Sequence, residues 1–400
     1  MVTAITVQCQ VIHWHQNGNI VAGTTTQGSA ANELAYPKGI FVDKNKTIYI
    51  SDAGNYRVQK WVYRSTSGVT VAGGNGIGNR LSQFRSLQGV FVDDTGNIYA
   101  CDQGNSWILK WKPGDTSGSI IAGNYMLGHG SGSQQLDAPI YVFVNQVGDI
   151  YVADFGNNRV QKWVHGVDSG ITVAGGNGAG NAANQLYQPS GIAFDTASNM
   201  YVADAYNNRV QKWAPGASSG VTVAGTGVAG NAPNQLNKPN FLFIDDTGNL
   251  YIADMGNQRL QKWPHNATSG ITVCYPYIGN IFIDDSNYLY GSDWDRIIYK
   301  YADSIPLAVP AINMLISDWA LYPNPNSGTF TISGTLDGGS GTLPFSIVDN
   351  RGKIIFEDKI YLKNKKLLKQ ITLNNIAPGF YYFVLADGNE KYQYKINIQY

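Results

Sequence analysis

Residues 151–163 read YVADFGNNRVQKW, and the same phrase returns along the chain. It recurs as YISDAGNYRVQKW ending at Trp61, YACDQGNSWILKW at Trp111, YVADAYNNRVQKW at Trp213 and YIADMGNQRLQKW at Trp263. A worn copy, YGSDWDRIIYKY, ends at Tyr301. The aspartates within it, Asp52, Asp102, Asp154, Asp204, Asp254 and Asp293, are spaced by 50, 52, 50, 50 and 39 residues. A fixed period of that size marks a solenoid, propeller or array.

Working outward from the phrase, each unit contains four short strand patterns. In the copy at 189–225, GIAFD (191–195) turns through TASN into MYVAD (200–204), which turns through AYNN into RVQKW (209–213). VTVAG (221–225) follows after APGASSG. The runs are rich in Val, Ile, Tyr, Phe and Trp, with Gly, Asn and Asp between them, which is hairpin chemistry. Four strands per repeat predict a β-propeller. First-strand copies begin near 40, 90, 142, 192, 242 and 281, so six blades are expected. NIVAG (19–23) resembles a fourth strand but precedes any complete unit, and the sixth unit lacks one of its own. Pairing the two would close the ring without a free edge. QVIHW (10–14) resembles a third strand and leaves two candidates for that place in the sixth blade.

Composition agrees with an all-β chain. The 400 residues include 46 glycines, 43% are hydrophobic and 12% aromatic, and only 14% are charged. That apolar fraction excludes wholesale disorder. Lys+Arg and Asp+Glu number 28 each, which removes a global electrostatic case for nucleic acid or acidic membranes. No run approaches the ~18 apolar residues of a membrane helix. Cys9, Cys101 and Cys274 are too few and too scattered for a disulfide framework or a zinc site. Cys101 and Cys274 stand where sister repeats carry Ala, which predicts buried free thiols.

The units GIAFDTASNMYVADAYNNRVQKW and GVFVDDTGNIYACDQGN resemble NHL repeats, over about residues 10–302. The resemblance implies a six-bladed propeller; the family's functions include protein binding and RNA binding, and related propellers include lyases and lactonases. Fold therefore does not settle function.

After Tyr301 the repeat stops, and residues 303–318, with two prolines and no period, read as a linker. Six strand patterns follow within 319–400: TFTIS (329–333), PFSIVD (344–349), KIIFED (353–358), LKQITL (368–373), GFYYFVLA (379–386) and YQYKINIQ (392–399). They predict a small antiparallel β-sandwich. ALYPNPNSGTFTISG (320–334), VDNRGKIIFE (348–357), LNNIAPGFYYFVL (373–385) and YKINIQY (394–400) occur in that order. This order resembles the C-terminal sorting domain of type IX secretion cargo in the Bacteroidetes. The matching positions are Tyr322, Pro323, Asn324, Pro325, Gly328, Gly352, Pro378, Gly379, Tyr381 and Lys395. The resemblance implies export through the type IX machinery and removal of the domain at the outer face. Such cargo carries a signal peptide, which MVTAITVQCQVIHWHQ at the start does not resemble; a mature or truncated form is therefore expected.

The chemistry-bearing residues mostly have architectural readings. The recurring second-strand Asp is expected to cap its own turn as an Asx-turn, and Asp43, Asp93, Asp195, Asp245 and Asp284, with Asn145, to cap the first hairpin. Arg57, Arg159, Arg209 and Arg259 are expected to pair with the Asp of their own blade, and the third-strand Trp residues to anchor blade packing. Loops such as AGGNGAGN (174–181) contain no Lys and open no helix, so they are not phosphate loops. His13, His15, His129, His165 and His265 show no ligand spacing, and Glu33 is the propeller's single Glu. No catalytic set, metal or cofactor is expected, although a lyase or metal-dependent hydrolase at the channel mouth is the alternative.

The expected function is thus a secreted or surface-displayed binding or scaffold module for a protein or glycan. The residue following each turn Asp varies between repeats and includes Phe155, Met255 and Trp294, and the next residue is Gly except for Tyr206 and Asp295. The second-to-third turns should share a face with the blade connections, where function usually resides. A shallow, partly aromatic site is expected there, beside a connection shortened between the fifth and sixth units. Ordinary loop divergence would produce the same variation.

Overall fold

The computed structural model describes residues 19–245, 247–274, 280–284, 288–292, 296–301, 316–324, 327–336, 341–349, 354–362, 366–373, 376–387 and 390–399. QVIHW at 10–14 lies outside them. The chain divides into two compact units, Met1–Asp303 and Ser304–Tyr400.

The first unit consists of six four-stranded antiparallel sheets. Blade 1 contains Pro37–Val42, Ile48–Asp52, Arg57–Trp61 and Val69–Gly73, and blades 2 to 5 repeat it through Ile271–Cys274. Blade 6 contains Ile281–Ile283, Leu289–Ser292 and Ile297–Tyr301, completed by Asn19–Gly23. The NIVAG strand pairs antiparallel with Ile297–Tyr301, with Asn19 opposite Lys300 and Gly23 opposite Ile297. The ring is therefore closed by the start of the chain.

First strands of neighbouring blades touch all the way round, so they surround the axis; the fourth strands, with exposed leading residues, form the rim. Gly39 and Gly89 permit this close approach. A Cβ on Gly39 would lie 2.7 Å from the Val90 nitrogen, and one on Gly89 2.8 Å from the Ile140 carbonyl oxygen. Blades 3 and 5 carry Tyr141 and Phe241 at the corresponding position, and these rings meet edge to face at 5.0 Å. The two blades are not neighbours, so the rings meet across the inner end of blade 4.

The core lies between blades. Tyr49 and Val58 of blade 1 cluster with Val90, Ile98 and Trp111 of blade 2, and each repeat Trp packs on the preceding blade in this way. Each incoming connection adds one fully buried side chain, Leu34, Phe84, Leu136, Leu186 or Leu236. Cys101 is a buried free thiol, and burial pushes its pKa well up. Cys274 closes a strand, but its side chain lies outside the described residues.

The second unit has a three-stranded sheet of Ile316–Tyr322, Thr329–Leu336 and Lys366–Thr372. Its four-stranded sheet runs Ile354–Leu362, Gly341–Asp349, Gly379–Asp387, Glu390–Ile398. Leu321, Phe330, Ile332 and Ile371 of the first share one core with Phe345, Ile347, Phe383 and Ile396 of the second, the packing of a sandwich. The strand Ile316–Tyr322 is additional to the six expected and begins inside the expected linker. Its run ISDWALY alternates poorly, and pairing with Thr329–Leu336, across a register shift, makes it a strand.

Candidate functional site

In blades 1 to 5 the second strand ends in the repeat Asp, and what that Asp holds corrects the sequence expectation. Asp52 does not cap the short 3-10 turn that follows it. One oxygen instead accepts from the Ala35 amide at 2.7 Å, 17 residues upstream in the incoming connection. The other accepts from Asn55 Nδ2 at 2.9 Å and Arg57 Nε at 2.7 Å. Asp154, Asp204 and Asp254 repeat the arrangement with Asp137, Tyr187 and Asn237 amides. Burial pushes the carboxyls of Asp52, Asp154 and Asp204 up, against the pull of these donors. The Arg–Asp pairs are within-blade and buried, as expected. The first-hairpin acids do form Asx-turns: Asp93 Oδ1 accepts from the Thr95 and Asn97 amides at 3.0 and 2.9 Å.

Sequence reasoning missed the Asn three residues after each Asp. Asn55, Asn105, Asn157, Asn207 and Asn257 each donate to that Asp and to a connection carbonyl, from Gly28 through Gly230. The signal was present as the constant final N of DAGN, DQGN, DFGN, DAYN and DMGN. It also missed the Lys before each third-strand Trp, which lies over the second-strand Tyr of its own blade, as Lys110 does over Tyr99 at 5.2 Å.

These brackets fix the second-to-third turns against the connections. Amides of Gly54, Gln103, Gly156, Tyr206 and Gly256 donate to carbonyls of Ala35, Ser86, Asp137, Tyr187 and Asn237. Phe155, Tyr206 and Met255 lie in these turns, on the connection face. Phe155 is half-buried, whereas Tyr206 is 43% exposed. Their rings meet edge to face at 6.5 Å, and Tyr187 of the adjoining connection lies 5.2 Å from Tyr206. Lys238 extends its ammonium over Tyr206 at 5.1 Å. Two turn asparagines hold this assembly across blades: Asn158 Oδ1 accepts from the Gln188 amide at 2.9 Å, and Asn208 Oδ1 from the Lys238 amide at 3.0 Å. Half-buried Met255 occupies the equivalent place one blade further on. Trp294 and the shortened connection at 275–279 lie outside the described residues. Among the described residues no three His, Cys, Asp or Glu side chains converge as metal ligands would.

In the second unit, Tyr322 ends its strand, and the Tyr322–Pro323 peptide is cis. Asn324 Oδ1 accepts from the Asn397 amide at 2.8 Å, tying the first motif to the last strand. Gly328 sits at φ 98, and a Cβ there would lie 2.8 Å from the Leu373 carbonyl oxygen. Pro378 and Gly379 open the strand in which buried Tyr381 donates its hydroxyl back to the Ala377 carbonyl at 2.9 Å. Such a tyrosine corner pins a strand entry in sandwiches. Lys395 lies in the last strand opposite Tyr382. Pro325 and Gly352 lie outside the described residues.

Residues 320–399 match the family of secretion-system C-terminal sorting domains. That match implies export, to the cell surface or the medium. Comparison with curated proteins gives no match. Among solved structures, a gluconolactonase from Xanthomonas campestris is 14% identical, with 71% of this chain and 98% of that one covered at a TM-score of 0.50. A catalytically inactive virginiamycin B lyase from Staphylococcus aureus is 9% identical, with 69% of this chain and 97% of that one covered at a TM-score of 0.47. The first likeness is one of fold.

Proposed function

We propose that the chain is type IX secretion cargo of a Bacteroidetes cell whose NHL-type propeller is a binding and scaffold module for a protein or glycan. The ordered motifs of 320–399 support the route. The Phe155–Tyr206–Tyr187 cluster beneath Lys238 supports the binding role, because it gathers partly exposed aromatic surface on the connection face. Tyrosines and other aromatics in such positions carry a large share of interface energy. The ligand face extends toward Met255, and the repeat pattern of the sequence assigns Trp294 to the same face. A lyase or hydrolase at the channel mouth has only fold likeness behind it, which does not carry an activity.

The test uses immobilised propeller against outer-membrane and medium fractions and against a glycan array. Changing Phe155, Tyr206 and Trp294 together to Ala should weaken retention of whatever binds by tenfold or more. Unchanged retention by a normally folded triple variant would remove this site.

A further inference from the structure

The face of the propeller opposite the connections, formed by the first-to-second hairpins, has a cavity of about 1040 Å³ spanning blades 2 to 4. Its inner wall is aromatic. Phe91 and Phe143 meet edge to face at 5.5 Å, Phe143 stacks on Phe194 at 4.8 Å, and Tyr151 abuts Phe194 at 4.7 Å. All four are only half-buried, so the blade packing leaves part of their surface uncovered. Val147 continues the apolar surface at the mouth and is 72% exposed. Its column otherwise holds Asn45, Thr95, Ala197, Thr247 and Ser286, so an apolar side chain of this size is particular to blade 3.

The charged groups around the mouth, and Asn145, are already engaged, which leaves Gln146, Thr196 and Ser198 as its other polar side chains. Asp93 accepts from Thr95 and Asn97 and from the Tyr99 hydroxyl at 3.0 Å; Asp195 accepts from Ala197, Asn199 and the Tyr201 hydroxyl. Asn145 Oδ1 accepts from two amides of its own turn. Lys162 is held by Asp149 at 2.8 Å, while Lys212 and Lys44 stand 3.5 Å from Asp195 and Asp94. A sugar or an ion entering here would lose hydration with few partners to replace it. An apolar ring would lose nothing and gain the uncovered aromatic surface. We propose that this cavity is a second binding site, for a small uncharged hydrophobe carrying a ring system. Its size is that of ligand pockets in general.

The test compares two probes on one ring skeleton, using the full chain. N-phenyl-1-naphthylamine is neutral and 1-anilinonaphthalene-8-sulfonate is its charged counterpart; both brighten in apolar sites. The neutral probe should bind saturably at one site, at least tenfold tighter than the sulfonate. Val147→Asp, in a column of mostly polar residues, should weaken it at least tenfold. Ala214→Trp, at a mouth position whose sisters are Val62, Lys112, Val164 and Pro264, should do the same by narrowing the entrance. Tyr206→Ala on the other face should leave the affinity unchanged, which separates this site from the one proposed above. No saturable binding, equal affinity for both probes, or indifference to both mouth variants would overturn the proposal.

Discussion

In blade 3, Arg159 uses all three of its guanidinium nitrogens. Nε meets Asp154 at 2.7 Å, while Nη1 and Nη2 hold the Ser131, Gly132 and Gln135 carbonyls at 2.8 to 3.1 Å. Removing it leaves the fully buried Asp154 without its counter-charge and frees the connection. Arg159→Ala should therefore cost about 3–5 kcal/mol, read as a lower denaturation midpoint. Arg159→Lys should recover little of it, because an ammonium cannot reproduce the fork. A loss below about 1 kcal/mol, the scale of a surface pair, would show the bracket to be incidental. Blade 2 has Trp107 in this place, stacked on Tyr125 of its outgoing connection at 5.5 Å, and its incoming connection is held by Asp102 and Asn105. The hairpin acids govern the response to acid. The Lys162 ammonium holds the Asp149 carboxyl below its usual range. Burial opposes ionisation of Asp93, Asp195 and Asp245, but their amide, Asn and hydroxyl donors outweigh it and hold these pKa values down too. A depressed folded pKa gives stability that is present above the unfolded value near 4 and lost as pH falls through the folded one. Replacing Asp93 with Asn should flatten that acid limb of the stability curve, and an unchanged limb would refute the assignment.

At the scale of elements, one five-residue strand closes the ring. Asn19–Gly23 covers the edge of Ile297–Tyr301, which would otherwise offer unpaired backbone groups. Deleting residues 1–23 should produce aggregation visible by light scattering; a monomer of equal stability would show that the closure is dispensable. The inner strands depend on close backbone approach, so Gly89→Ala must push against the Ile140 carbonyl at 2.8 Å. Overpacking of this kind costs about 1–3 kcal/mol, and thermal melting will show whether the inner ring yields that much. The strands themselves were legible in runs such as IYVAD and RVQKW, because hairpin partners are adjacent in sequence. Ile316–Tyr322 was not, because its pairing rather than its own pattern makes it a strand.

For the whole molecule, the sorting domain sets the outcome that can be checked in cells. A precursor provided with a signal peptide should appear outside a type IX-competent cell lacking residues from about 318 onward, as mass spectrometry of the medium and surface would show. Intact chain retained in the cytoplasm would contradict it. The sequence by itself determined the six repeats, the closing strand, the within-blade Arg–Asp pairs and the sorting domain. These rest on local periodicity, on partners five residues apart and on the order of short motifs, with the closing strand found by counting copies. Only the tertiary structure decided that the repeat Asp holds an amide 17 residues upstream. It alone also placed Tyr141 against Phe241, Lys238 over Tyr206, and Phe143 against Phe194 beside an open cavity. Those contacts join different blades, and their geometry follows from how the sheets are arranged around an axis. Each repeat carries the residues, but only the closed ring brings them within reach of each other.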